Sequence, residues 1–128
     1  MRRTALLGAI ALLAPGCGGG NGHYSLRPTR ACLEHKGAYL IHDDDVFPVT
    51  RLGRLVVHSR DYDIVIAFIR DHAQAERLRT SAIRFITSYG DTDSVAKLPI
   101  YVKGNVLYFP QGHSFPASAR HLVEACLR

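Results

Sequence analysis

The run Pro15-Gly16-Cys17-Gly18-Gly19-Gly20 divides this chain before any other feature is weighed. Proline and clustered glycines interrupt both helix and strand, so the segment ahead of them cannot continue into a packed domain. That segment is Met1-Arg2-Arg3-Thr4 followed by an apolar stretch over residues 5–14. A basic start, a short apolar core and small residues at the end form the layout of an export leader. A bilayer-spanning helix needs roughly twenty apolar residues, and this stretch is about half that length. Residues 1–16 are therefore expected to be an export signal peptide, and residues 17–26 a flexible tether that opens with Cys17. Residues 27–128 are expected to form a single domain.

Leu13-Ala14-Pro15-Gly16-Cys17 resembles the bacterial lipobox, in which a small residue precedes a lipid-modified cysteine. The resemblance implies cleavage between Gly16 and Cys17 and a diacylglyceryl thioether on the Cys17 sulfur. Two acyl chains give stable membrane anchoring where one gives only marginal binding. The rival expectation is secretion without an anchor, because Ala14-Pro15-Gly16 also fits a small-x-small cleavage site at the same bond. The expected address is thus the outer side of the cell membrane, with the medium as the alternative.

About 100 residues remain after the leader and tether, enough for one domain with one core. The formal charge of +5 includes Arg2 and Arg3, and a chain without them carries +3. The remaining arginines are scattered, with no block of like charge of the kind that binds nucleic acid. The expected partners are the membrane, through Cys17, and an envelope protein or wall polymer.

Apart from Cys17 the chain has two cysteines, Cys32 and Cys126, one near each end of the domain. In an exported protein such a pair reads as a disulfide. Two buried thiols acting as small hydrophobes, or a metal site, are the other readings.

The chain then reads in order. Thr29 can cap a short helix that Gly37 stops. Residues 38–42 form a short strand. Residues 54–59 and 63–70 form a strand pair, and the run Ile64 to Ile69 in the second is apolar at every position, which places it centrally with at least partial cover on both faces. Asp71 with Gln74 three residues later reads as a capping box. Ala75, Leu78, Ala82, Phe85, Ile86 and Tyr89 then make one helical stripe. Residues 98–110 read as a hairpin around Gly104-Asn105, which suits a type II′ turn. A last helix begins near Ser114 or Phe115 and turns Ala119, Leu122, Val123 and Cys126 inward. The order is α-β-β-β-α-β-β-α. The expected fold class is α+β: a two-layer sandwich with a mainly antiparallel sheet of about five strands and helices on one face. A disulfide would join the terminal helices. The segments Cys32-Leu33, Gly104-Asn105-Val106 and Cys126-Leu127 make the domain similar to a type of small exported bacterial domain of unknown function, a resemblance that implies no activity.

Two constellations carry possible chemistry. In the hairpin register Tyr101, Lys103, Val106 and Tyr108 share the face away from Ile100, Val102, Leu107 and Phe109. An uncovered Tyr101-Lys103-Tyr108 face would suit a sugar, peptide or protein partner, since tyrosine joins a rigid apolar body to a polar tip. The same two tyrosines also read as an ordinary cross-strand pair. Cys32, His35, His121 and Cys126 would supply two sulfurs and two imidazoles for a tetrahedral metal site if the terminal helices touch. His42 and His58 read as a pair on adjacent strands, and Asp43-Asp44-Asp45 as a solvated loop without the calcium-loop pattern. No nucleophile elbow, zinc-protease motif or phosphate loop occurs. No cofactor is expected. The leading expectation is a non-catalytic binding domain of the cell envelope; the alternative is a small exported metal-binding protein or hydrolase that uses His, Asp and Cys groups.

Overall fold

Strand β3 (Tyr62–Phe68) carries the architecture. Its residues 64–68 and the following Ile69 are all buried, so both faces of the strand must be covered. The computed structural model describes residues 22–41, 52–89, 99–112 and 116–128. They form α1 (Leu26–His35), β1 (Tyr39–Ile41), β2 (Arg54–His58), β3, α2 (His72–Tyr89), β4 (Tyr101–Lys103), β5 (Val106–Gly112) and α3 (Ala117–Cys126). The five strands make one antiparallel sheet in the order β1-β2-β3-β5-β4. The α+β class, the five-stranded sheet and the element order are those the sequence leads one to expect.

The layering differs from expectation. The terminal helices cover one face, where Leu33, Ala119, Val123 and Cys126 pack with Leu55, Val57, Ile64, Ile66, Phe68, Val106 and Tyr108. Helix α2 lies on the opposite face, where Ala75 packs with Ala67, Ile69, Ile100 and Leu107, flanked by Leu78, Ala82 and Ile83. The cause is the composition of the inner strands. With Ile64, Ile66 and Phe68 on one side and Val65 and Ala67 on the other, cover on one face alone would leave apolar surface in water. Each fully buried Val, Leu or Ile contributes about 1.5–3 kcal/mol relative to exposure.

Local chemistry fixes the helix ends. In α2 the Gln74 N–H donates to Asp71 Oδ1 at 2.8 Å. That bond, with the neighbouring Arg70, holds the Asp71 carboxyl below its ordinary value. The stripe of α2 is rotated from expectation: Ile83 packs inward, whereas Phe85 is 65 % exposed. Helix α1 starts at Leu26, earlier than a Thr29 cap would allow. Pro28 falls in its first turn, where a missing N–H does no harm. Thr29 is buried instead, and its Oγ1 accepts the Arg128 N–H at 3.3 Å. Gly37, at φ 81°, ends the helix, with Gly37 N–H on the Glu34 carbonyl and Ala38 N–H on that of Leu33. This pair of bonds is a Schellman stop.

Cys32 and Cys126 form a disulfide with Cα atoms 5.3 Å apart, which joins α1 to α3 across 94 residues of chain. Cys126 is fully buried and Cys32 packs at the edge of the same cluster.

Candidate functional site

Tyr101, Lys103 and Tyr108 lie where the hairpin register puts them, but their face is not open. Tyr101 is opposite Tyr108 in the β4–β5 ladder, and the rings stack at 5.2 Å with 24° between planes. Helix α3 lies over them. Tyr108 is 0 % exposed, and its hydroxyl donates to the Glu124 carboxylate. Arg120 donates to the same carboxylate at 3.0 Å, and its guanidinium carbon stands 4.1 Å from the centre of the Tyr101 ring. The pair is thus a latch between sheet and helix, and the expected open tyrosine face is corrected. Its physical reason is the apolar body of Tyr108, which gains more from cover than from water once its hydroxyl has a partner.

The electrostatics of the latch follow from that burial. Desolvation, and then the bond to Glu124, push the Tyr108 hydroxyl above its ordinary range, so it stays a donor at neutral pH. Burial alone would raise the Glu124 carboxyl, but the Tyr108 hydroxyl and the Arg120 guanidinium outweigh it and hold it below its ordinary value of 4.5. A carboxylate depressed in the folded state contributes stability that is complete above its unfolded value and lost as pH falls through the folded one. Thermal melts from pH 7 down to pH 3 should therefore show Glu124→Gln less stable than the parent at neutral pH, with the gap closing below about pH 4.5. A gap that stays constant with pH would show that the carboxylate charge plays no part.

The metal constellation is also corrected. Both sulfurs are consumed by the Cys32–Cys126 bridge, and a disulfide offers no thiolate to a metal. His35 and His121 are exposed on separate helices. Among the described residues no three His, Cys, Asp or Glu groups gather as a metal site. His58 is exposed, donates through Nδ1 to Asp63 Oδ1 at 2.6 Å and meets the Tyr39 ring edge-on at 5.9 Å. His42 and the run Asp43-Asp44-Asp45 fall outside the described residues, as do Ser114 and Phe115.

The most convergent polar geometry lies at the end of the sheet where the N-terminal segment enters. Gly104 adopts φ 55° and is followed by Asn105, the arrangement of a type II′ turn. A Cβ on Gly104 would overlap the Gly22 carbonyl oxygen, so glycine is required twice over. Asn105 is 2 % exposed and fully engaged. Its Oδ1 accepts the Tyr24 N–H at 2.6 Å, and its Nδ2 donates to the Tyr24 carbonyl at 3.0 Å and the Ile69 carbonyl at 2.9 Å. Its backbone N–H reaches the Gly22 carbonyl at 3.2 Å. His72 Nδ1 donates to the Gly104 carbonyl at 2.9 Å. The Ser25 N–H bonds the Arg128 carbonyl at 2.7 Å. Residues 22–25, expected in the tether, are thus held in the globule.

Beside this hub is a cleft of about 150 Å³ lined by His23, Tyr24, Ser25, Leu26, Leu52, Phe68 and Asn105. Leu52 is half exposed at its lip. In the sequence Gly104-Asn105 shows turn chemistry alone; the asparagine has partners far off in the chain, which no local pattern announces. Among the described residues no helix is long and apolar enough to cross a membrane. The chain matches no protein-family model, no curated protein and no solved structure.

Proposed function

We propose that this chain is an extracytoplasmic lipoprotein whose domain is a non-catalytic binding module of the cell envelope. Residues 1–16 export it, Cys17 carries the lipid, and the domain presents its surface to an envelope protein or wall polymer. The observation that carries the reading is the Cys32–Cys126 disulfide. Disulfides persist outside the cytosol, which is where the leader ahead of Cys17 would deliver the domain. The engagement of Gly22 and Tyr24 by Asn105 supports it further, because it leaves only a short glycine-rich link between Cys17 and the globule.

Cys17→Ser tests this reading. The variant should leave the membrane fraction for the soluble or secreted one, since the two acyl chains that hold it there are lost. The mass of the parent should fit a chain that starts at Cys17 and carries diacylglycerol. Retention of Cys17→Ser in the membrane, or a parent mass that still includes residues 1–16, would overturn the proposal.

A further inference from the structure

We infer that the end of the sheet carrying the Gly104-Asn105 turn docks onto the headgroups of an anionic phospholipid bilayer. This rests on the lipid anchor at Cys17 proposed above. Three observations lead to it.

The first is reach. Among the described residues the first with a hydrogen bond to the globule is Gly22, and residues 18–21 separate it from Cys17 in the sequence. A fully extended link from Cys17 to Gly22 spans at most ~17 Å. The headgroup layer takes up ~6 Å of that on each side of the bilayer. Strand β5, with 7 residues, is itself ~24 Å long. The slack is therefore shorter than the sheet, and the end holding Gly22 must stay next to the bilayer.

The second is charge. Hydrogen bonds gather Gly22, Tyr24, Ser25, Ile69, His72, Gly104, Asn105 and Arg128 at that end. Their sequence neighbours Arg27 and Arg70 are exposed there, together with Arg128 and the half-exposed Lys103. Asp71, paired with Arg70 at 3.1 Å, and Glu76, 4.0 Å from His72, oppose them. The far end carries Glu34, Asp61 and Asp63 beside Arg30, Lys36, Arg60 and Arg84. The anchor end thus sets Arg27, Arg70, Arg128 and Lys103 against two carboxylates. Basic groups close to an anionic leaflet are attracted within a Debye length of it.

The third is an apolar contact. Leu52, 52 % exposed, stands beside Leu26 and Tyr24 at the lip of the cleft on this same end. A leucine among arginines is the composition that settles into a headgroup layer.

The chain has no tryptophan, so one introduced indole reports on its own surroundings. The lipidated protein would be reconstituted into vesicles of phosphatidylcholine alone or with phosphatidylglycerol. Flotation with the neutral vesicles tests the anchor, and its failure sinks the lipoprotein reading together with the docking. In floating protein, Leu52→Trp should be shielded from aqueous acrylamide in the phosphatidylglycerol vesicles and exposed in the neutral ones. Tyr39→Trp, at the far end, should be quenched equally in both. Adding Arg27→Glu and Arg70→Glu should lower the docked-to-undocked ratio at least about tenfold. Floating protein whose Leu52→Trp is quenched alike in both vesicles overturns the docking alone, and so does shielding of Tyr39→Trp.

Discussion

Replacing Cys32 and Cys126 with serine should lower the unfolding free energy by about 4–5 kcal/mol, the chain-entropy value for a loop of this length. The bridge spans 94 residues, so the unfolded chain loses most of its freedom when the sulfurs are joined. For a domain of about 100 residues the loss corresponds to a fall in melting temperature on the order of 20 °C. Urea unfolding with and without reductant measures it. The slope of free energy against urea should rise on reduction, because the released chain exposes more surface when unfolded. The buried Cys126 sulfur adds a smaller packing loss in the serine variant, absent when the parent is reduced. A difference under about 1 kcal/mol would mean that packing between α1 and α3 does the work of the bridge.

Asn105→Ala should lower stability by about 3 kcal/mol. It removes three side-chain hydrogen bonds and strands the N–H and carbonyl of Tyr24 and the carbonyl of Ile69. A stranded buried polar group costs about 1–3 kcal/mol, and the three share one site, so the costs do not simply add. The readout specific to the hub is hydrogen exchange at the Tyr24 amide, which should speed up more than exchange at the β2–β3 ladder. Equal acceleration everywhere would mark a general loss of stability and deny the asparagine its role as a clasp.

What the sequence reveals and what it hides both follow from range. The Asp71 cap, the Gly37 stop and the Gly104 turn depend on neighbours within a few residues, and all three are where their residue types require. The bridge is long-range but legible, because only one cysteine pair remains once Cys17 is set aside. The face taken by α2 is not legible. Val65 and Ala67 are as apolar as Ile64 and Ile66, so alternation along β3 names two buried faces without saying which helix takes which. The tyrosine pair misleads for a related reason. A phenol suits an exposed binding face or a covered one with a partner, and Glu124, 16 residues on in the next element, decides between them. Thr29 reads as a cap until the backbone of Arg128, 99 residues away, is brought to it.

The terminal bridge also sets how far the protein can be drawn out mechanically. Tension applied from the N-terminal side enters at Gly22 and first strips the clasp at Tyr24, then the Ser25–Arg128 bond. Unravelling from there runs into a covalent stop at Cys32, so only residues 22–31 can be spooled out while the sulfurs are joined. The sheet begins at Tyr39, beyond that stop. A domain built this way lengthens its leash under load before its strands come apart.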